Sequence, residues 1–283
     1  MRILVGVDGS DAAATALRWA GRLAGAVGAE VVVATSFTPD QAELDPDRYR
    51  ELEEASRRRL DTDWSLPLVG TGVAHRSLEL TGSPDALLEA ADAEDADLIV
   101  VGPRSHGPVA GLHIGSLSHH LAHYTVRPLA MVPATGAEPS FERIVLGVDG
   151  SEGSAHAVRW CAAMAPALGA DIVAVYAFEP IVEWVPETDP RSWRPRVERK
   201  LDEEWVAPLR DAGLNVRTQL IEDIHPVAAL AGVISEERAG LAVLGTRGIG
   251  GFLGLRLGRV PIQLVHHTQI PVMVVPPPLD RAG

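Results

Sequence analysis

The sequence predicts an α/β protein made of two tandem domains, each a five-stranded parallel sheet of the Rossmann-like, doubly wound kind, sandwiched between helices. Three observations carry this. Apolar runs of strand length alternate with amphipathic helical stretches in the order β-α-β-α-β-α-β-α-β. The whole order occurs twice, since ILVGVDGS at 3–10 returns as IVLGVDGS at 144–151, an offset of 141 residues. The interior strands, ADLIVVG at 96–102 above all, are almost wholly apolar, as parallel strands buried on both faces are.

The two copies are collinear. Arg18-Trp19 returns as Arg159-Trp160, and Phe37 and Pro39 return as Phe178 and Pro180, at the same offset. Pro84 matches Pro226 at 142, while Gly102, Gly107, Gly115 and Pro128 match Gly245, Gly250, Gly258 and Pro271 at 143. The seam falls near the short polar stretch ATGAEPSFE, residues 134–142, which divides the chain into domains 1–136 and 137–283.

Within the first copy, RILVGVD is a strand, and the Asp-Gly-Ser turn after it can cap a helix that begins near Ser10. That helix would bury Ala16, Leu17, Trp19, Ala20 and Leu23. GAEVVVATSF is the second strand, and a charged helix follows from about Pro46 to Leu60. VAHRSLEL is the third strand, backed by the helix SPDALLEAADAEDA with Pro84 near its first turn. ADLIVVG is the fourth strand. The glycine-rich VGPRSHGPVAGLHIGS (101–116), a helix containing SLSHHLAHYT and the strand RPLAMVP complete the unit. On such sheets ligands bind at the carboxyl ends of the strands, where strand order reverses. Asp8 and Gly102 both sit just after strands and could face that crevice.

Bulk composition narrows the function. A chain of 283 residues suits two domains of about 150 residues each. Hydrophobic content of 46% with 22% charged is ordinary for a globular protein. The formal charge of −13 argues against duplex nucleic acid or an anionic membrane as the partner. It leaves a nucleotide open, because a local nest of N–H groups outweighs a global field. Cys161 is the only cysteine, which rules out an intramolecular disulfide; it is expected to pack as a small hydrophobe in a reducing compartment. With no leader-like N-terminus and no run of ~18 apolar residues, a cytoplasmic protein is expected.

The glycine-rich stretch departs from the familiar phosphate loops. Gly102 and Gly107 have P-loop spacing, yet Pro108 stands where the lysine belongs. The glycines of a dinucleotide fingerprint follow the first strand, where this chain carries Asp-Gly-Ser. What remains is a loop of backbone N–H groups closed by Gly115-Ser116 at a helix start, with Arg104 or, in the second copy, Arg247 as cation. Alternatively, the glycines serve only tight turns, and Asp8 and Asp149 only cap the following helices.

Other candidates are weaker. His119 and His123 are spaced i, i+4, but His119 matches Ile262 in the second copy, so a structural role is expected and metal ligation is unassigned. HIGS (113–116) resembles a synthetase element only by coincidence, because it follows the fourth strand. There is no Gly-x-Ser-x-Gly, and no Cys–His or paired-carboxylate set recurs between copies, so no catalytic residue is assigned and the chain is expected at most to hydrolyse slowly. The middle segments, 40–63 and 181–205, differ most between copies; Trp184 and Trp193 fit a lid or partner surface as well as plain packing.

VGVDGS on the first strand, Gly-x-x-Gly-(nine residues)-Gly-Ser/Thr after the fourth, and the closing PVMVVP together resemble the universal stress protein family in its tandem two-domain form, over essentially the whole chain. The resemblance implies a nucleotide held between strands one and four: ATP, with Mg²⁺, as a regulatory ligand in a stress or dormancy response. Asp8 and Asp149, beside Val7 and Val148, would contact the adenosine half. Gly102, Arg104, Ser105, Gly107, Gly115, Ser116 and Leu117 would line the phosphate site of the first copy. Gly245, Arg247, Gly248, Gly250, Gly258, Arg259 and Val260 would do so in the second. Both copies depart from the pattern, since Ser105 replaces a glycine and Arg259 replaces the small hydroxyl residue. A third departure, Ile224-His225-Pro226 for Gly82-Ser83-Pro84, is expected to be neutral. A partner-binding scaffold with decayed sites is therefore the alternative. The resemblance also implies that PLAMVP (128–133) and PVMVVP (271–276) pair within the chain, and a homodimer is expected beyond that.

Overall fold

The computed structural model describes residues 1–37, 45–81, 85–102, 116–134, 140–178, 190–222, 225–248 and 258–277. The chain divides into two compact units, Met1–Pro139 and Ser140–Gly283. In the first, the strands are β1 (Arg2–Gly6), β2 (Glu30–Phe37), β3 (His75–Thr81), β4 (Leu98–Val101) and β5 (Leu129–Met131). The helices between them are α1 (Asp11–Val27), α2 (Pro46–Arg59), α3 (Ala86–Ala93) and α4 (Ser116–Tyr124). All pairings are parallel and the order is β3-β2-β1-β4-β5. Strand order therefore reverses between β1 and β4, which opens a crevice at their carboxyl ends.

The second unit repeats this plan with β6 (Arg143–Gly147), α5 (Glu152–Leu168), β7 (Asp171–Phe178), α6 (Pro190–Arg199), α7 (Ala207–Asp211) and β8 (Val216–Glu222). It continues with α8 (Pro226–Glu236), β9 (Leu241–Gly245), α9 (Arg259–His267) and β10 (Val272–Val275). Its order is β10-β9-β6-β7-β8, again parallel, with the reversal between β6 and β9. Val145, Val173, Val175 and Leu244 from the sheet meet Leu230, Val233 and Leu264 from α8 and α9 in one apolar cluster.

Local sequence explains the elements that frame the crevices. Ile3, Leu4 and Val5 are wholly buried, as are Leu98, Ile99 and Val100, because helices cover both faces of the sheet. Ser10 and Ser151 each cap the helix that follows, accepting from Ala13 N at 3.2 Å and Ser154 N at 3.1 Å. Gly28 and Gly169 end those helices in the left-handed conformation. Ala16, Leu17, Trp19, Ala20 and Leu23 are all buried, so the expected stripe of α1 holds. The charged helix differs from expectation. After Arg59 it continues as a π-helical turn, Leu60–Trp64, and the second copy has the same feature at Lys200–Trp205. Periodicity in the sequence does not distinguish a π turn from the end of an α-helix. Gly82, Ser83, Pro84, Ile224 and Trp184 lie outside the described residues, and Trp193 lies on α6 with its side chain likewise undescribed. Among the described residues no helix is long and apolar enough to cross a membrane.

The glycines that end β4 and β9 are required by packing. Gly102 lies where a Cβ would come within 3.0 Å of the carbonyl carbon of Ala12 in the first turn of α1. At Gly245 a Cβ would collide with the backbone of Gly153, the residue equivalent to Ala12, in the first turn of α5. Both obstacles are backbone atoms, which cannot swing aside. Gly245→Ala is therefore expected to destabilise the protein by about 2–3 kcal/mol, toward the upper end of overpacking costs, and Gly102→Ala by about 1. Thermal unfolding of the two variants side by side checks the order; equal effects would contradict it. Cys161 is fully buried on α5 and that burial pushes its thiol pKa well up. A water-soluble disulfide reagent at pH 8 should accordingly label it only as fast as the protein unfolds, whereas rapid labelling of native protein would show it to be accessible.

Candidate functional site

In the first copy the amide of Val7 donates to Ala34 O at 2.8 Å, carrying the β1 ladder one residue further before the chain turns at Asp8. The Asp8 carboxylate accepts from the amide of Ser10 at 2.9 Å, and Gly9 between them has φ +79°, which glycine adopts cheaply. Gly6 pairs with Val101, which brings Gly102 level with this turn across the crevice. Ser118 donates to Gly102 O at 2.8 Å and ties α4 to the same strand end. Ser116 opens α4, with Leu117 half-buried behind it. Arg104, Ser105, Gly107 and Gly115 lie outside the described residues, as does Gly250 of the second copy.

In the second copy Val148, buried, donates to Val175 O at 2.9 Å, and Asp149 then closes the turn. Its Oδ1 accepts from the amide of Ser151 at 3.0 Å and from the Ser151 hydroxyl at 2.5 Å. Its Oδ2 faces Gly248, where any Cβ would collide with it. The Ser151 hydroxyl is also 3.3 Å from Arg247 O, and Gly153 packs on that same carbonyl. Beyond β9, Thr246 donates its amide to Val275 O at 3.1 Å and accepts at its carbonyl from Gly258 N at 2.7 Å. Gly258 is the N-cap of α9 and offers no side chain to the first-turn amides. Arg259 is exposed and Val260 half-buried in that first turn. The structure thus gathers Asp149, Arg247, Gly248 and Gly258 around the start of α5.

One of the alternatives is corrected. The aspartates do not cap the helices; the serines two residues later do. The carboxylates of Asp8 and Asp149 instead fold the turn ahead of the cap, because a side-chain oxygen reaches the amide two residues on without competing for the helical N–H groups. Gly102 and Gly245 are likewise explained by helix contact, whereas Gly248 is the glycine whose bareness faces a carboxylate.

The sequence reading missed two tryptophans. Trp64 lies on the first Asp-Gly-Ser turn, with its ring atoms 2.6–2.9 Å from where a Cβ on Gly9 would stand. Trp205 lies on the second turn in the same way, over Gly150. Both end the π-helical turns, and they are 141 residues apart, the offset of the Asp-Gly-Ser motifs, so the signal was available. Trp205 also meets Tyr176 edge-on at 5.2 Å between centroids. Burial, and then the nearby charge of Asp149, push the Tyr176 hydroxyl pKa up.

The α4 histidines pack with their neighbours. His119 and His123 lie 4.5 Å apart between centroids, and His120 Nε2 is 2.6 Å from Asp85 Oδ1. Burial, then His119 and His120, hold the His123 pKa below the usual value. Among the described residues no group of three or more His, Cys, Asp or Glu is placed to hold a metal ion.

Comparison with known proteins agrees with this architecture. The family profile "Universal stress protein family" matches twice, over residues 1–133 and 140–276. Universal stress protein Rv1996 of Mycobacterium tuberculosis is 29% identical, covering 99% of this chain and 96% of its own. A universal stress protein of Mycolicibacterium smegmatis is 28% identical, covering 97% of each. In fold, the crystal structure of a universal stress protein from Archaeoglobus fulgidus covers 99% of this chain and 97% of its own with a TM-score of 0.73, at 17% identity. The duplicated switch-point turns, the twofold profile match and the full-length relatives agree: this chain belongs to the universal stress protein family, in its tandem two-domain form.

Proposed function

We propose that this protein binds an adenine nucleotide, ATP with Mg²⁺, as a regulatory ligand in a stress or dormancy response. The observation that carries the reading is the cradle of the second copy. At one end, the first-turn amides of α9 follow a glycine N-cap that supplies no side-chain acceptor. Such a helix start favours phosphate through its amides and its dipole together. At the other end, the Asp149 carboxylate is fixed by Ser151 with Gly248 beside it, and a carboxylate there accepts from ribose hydroxyls or an exocyclic amine. Arg247 and Arg259 supply cationic residues at the phosphate end, which offsets the missing loop lysine. Mg²⁺ would enter on the phosphate oxygens. In the first copy Asp8 and Gly102 hold the corresponding places, and Ser116 and Leu117 open the corresponding helix.

On this reading both copies bind. The pairing of the two closing strands and a homodimer belong to the same proposal on the strength of their apolar, proline-bounded sequences; light scattering coupled to gel filtration tests the dimer.

Titration calorimetry of ATP·Mg²⁺ into nucleotide-stripped protein should give two sites per chain. Gly248→Ala places a methyl against Asp149 Oδ2, and should remove one site or weaken it at least tenfold, about 1.4 kcal/mol. No binding heat in the unmodified protein would remove the nucleotide reading in favour of the partner scaffold. A second variant separates ligand from fold. Gly258→Asp supplies α9 with a good N-cap while placing a negative charge at the phosphate end. The melting temperature should hold or rise while one ATP site is lost; retained two-site binding would contradict the placement of the phosphates.

A further inference from the structure

The two copies are not equivalent at the Asp-Gly-Ser turn, and the difference is aromatic. In the second copy the Trp205 ring covers Gly150, and Tyr176 stands edge-on to it at 83° between planes. Phe178, two residues along the same strand, lies 5.7 Å behind Tyr176. Neighbouring Val175 joins the apolar cluster under α8 and α9, so the alternation of β7 turns Tyr176 to the opposite face, toward α5 and the turn. Tyr176 is half-buried, and Trp205, which it meets, lies over Gly150, the residue next to Asp149 in the chain. In the first copy Trp64 covers Gly9 in the same manner, but the position equivalent to Tyr176 is Thr35, which is buried at 5% exposure. Among the described residues the corner there has one aromatic wall.

We propose that Tyr176 and Trp205 form a base-recognition corner in the second copy, with Tyr176 the residue that selects an adenine over a smaller base, and that the first copy, with Thr35, binds chiefly through the phosphates. Two rings at right angles present one face and one edge, so a flat heteroaromatic base stacks on the first and meets the second with its rim. Asp149 beside them accepts from an exocyclic amine such as that of adenine. A purine offers more area to the ring than a pyrimidine, so the corner separates adenine from cytosine by stacking, while the carboxylate accepts from the exocyclic amine of either base. The inference rests on the nucleotide reading above and adds which copy reads the base.

The test compares Tyr176→Thr, which installs the first-copy residue, with Tyr176→Phe, which keeps the ring. Calorimetry on the full chain measures ATP, CTP and inorganic tripolyphosphate. Tyr176→Thr should weaken ATP about tenfold or more at one of the two sites, within the range of base–aromatic stacking, and collapse the ATP-over-CTP preference of that site. Tripolyphosphate binding should stay unchanged, and Tyr176→Phe should remain within about twofold of the unmodified protein. Quenching of Trp205 fluorescence by ATP, identified by its loss in Trp205→Phe, should accompany binding at that site. Tyr176→Thr that leaves ATP affinity and base preference intact would overturn this inference while the nucleotide reading stands. A parallel fall in ATP and tripolyphosphate would overturn it as well, by showing structural damage. Failure of the unmodified protein to bind ATP would overturn both.

Discussion

The contact on which both candidate sites depend is the backbone-to-backbone approach of a strand end to the first turn of the neighbouring helix. Gly245 lies on Gly153, and Gly102 lies on Ala12. Because neither side of the contact carries a flexible side chain, the distance is set by main-chain atoms. It therefore fixes the Asp-Gly-Ser turn against the end of the fourth strand of each unit. In the second unit the registration continues through Ser151, whose hydroxyl meets both the Asp149 carboxylate and the Arg247 carbonyl. From there it passes along Thr246 to Gly258 and the start of α9. A carboxylate and a helix N-terminus are thereby held at the two ends of one cradle.

Duplication has preserved this frame while letting its neighbours change. Arg18 donates to Thr15 Oγ1 at 2.9 Å on α1, and Arg159 lies 2.7 Å from His156 Nδ1 on α5, the same three-residue step with a different partner. Burial and the Arg159 charge keep the His156 pKa low, so the imidazole stays neutral and accepts from the guanidinium. Thr35 against Tyr176 is a change of another kind, because it alters what lines the turn rather than what supports it. Shared ancestry of the two turns thus does not give them the same lining.

Most of the fold was legible in the sequence, because strand runs and the Asp-Gly-Ser turns that lead into helices act locally and were written twice. The site was legible in part. Asp8, Asp149, Gly102 and Gly245 could be placed at strand ends from spacing alone. Which glycine serves the fold and which leaves room beside a carboxylate could not, since Gly245 and Gly248 differ only in what approaches them in three dimensions. Trp64 and Trp205 carried the right offset, yet they stand in charged segments whose path depends on a π turn that hydrophobic periodicity does not encode. Their place over the turns needed the packed structure.

The central claim is that the turn at 149–151 and the start of α9 act as one ligand cradle. Amide hydrogen exchange with and without ATP·Mg²⁺, read by mass spectrometry, tests it most directly. The account predicts slowed exchange in peptides covering 149–154, 246–248 and 258–263 together, with the outer strand β8 unaffected. Protection confined to other segments, or spread evenly over the chain, would contradict it.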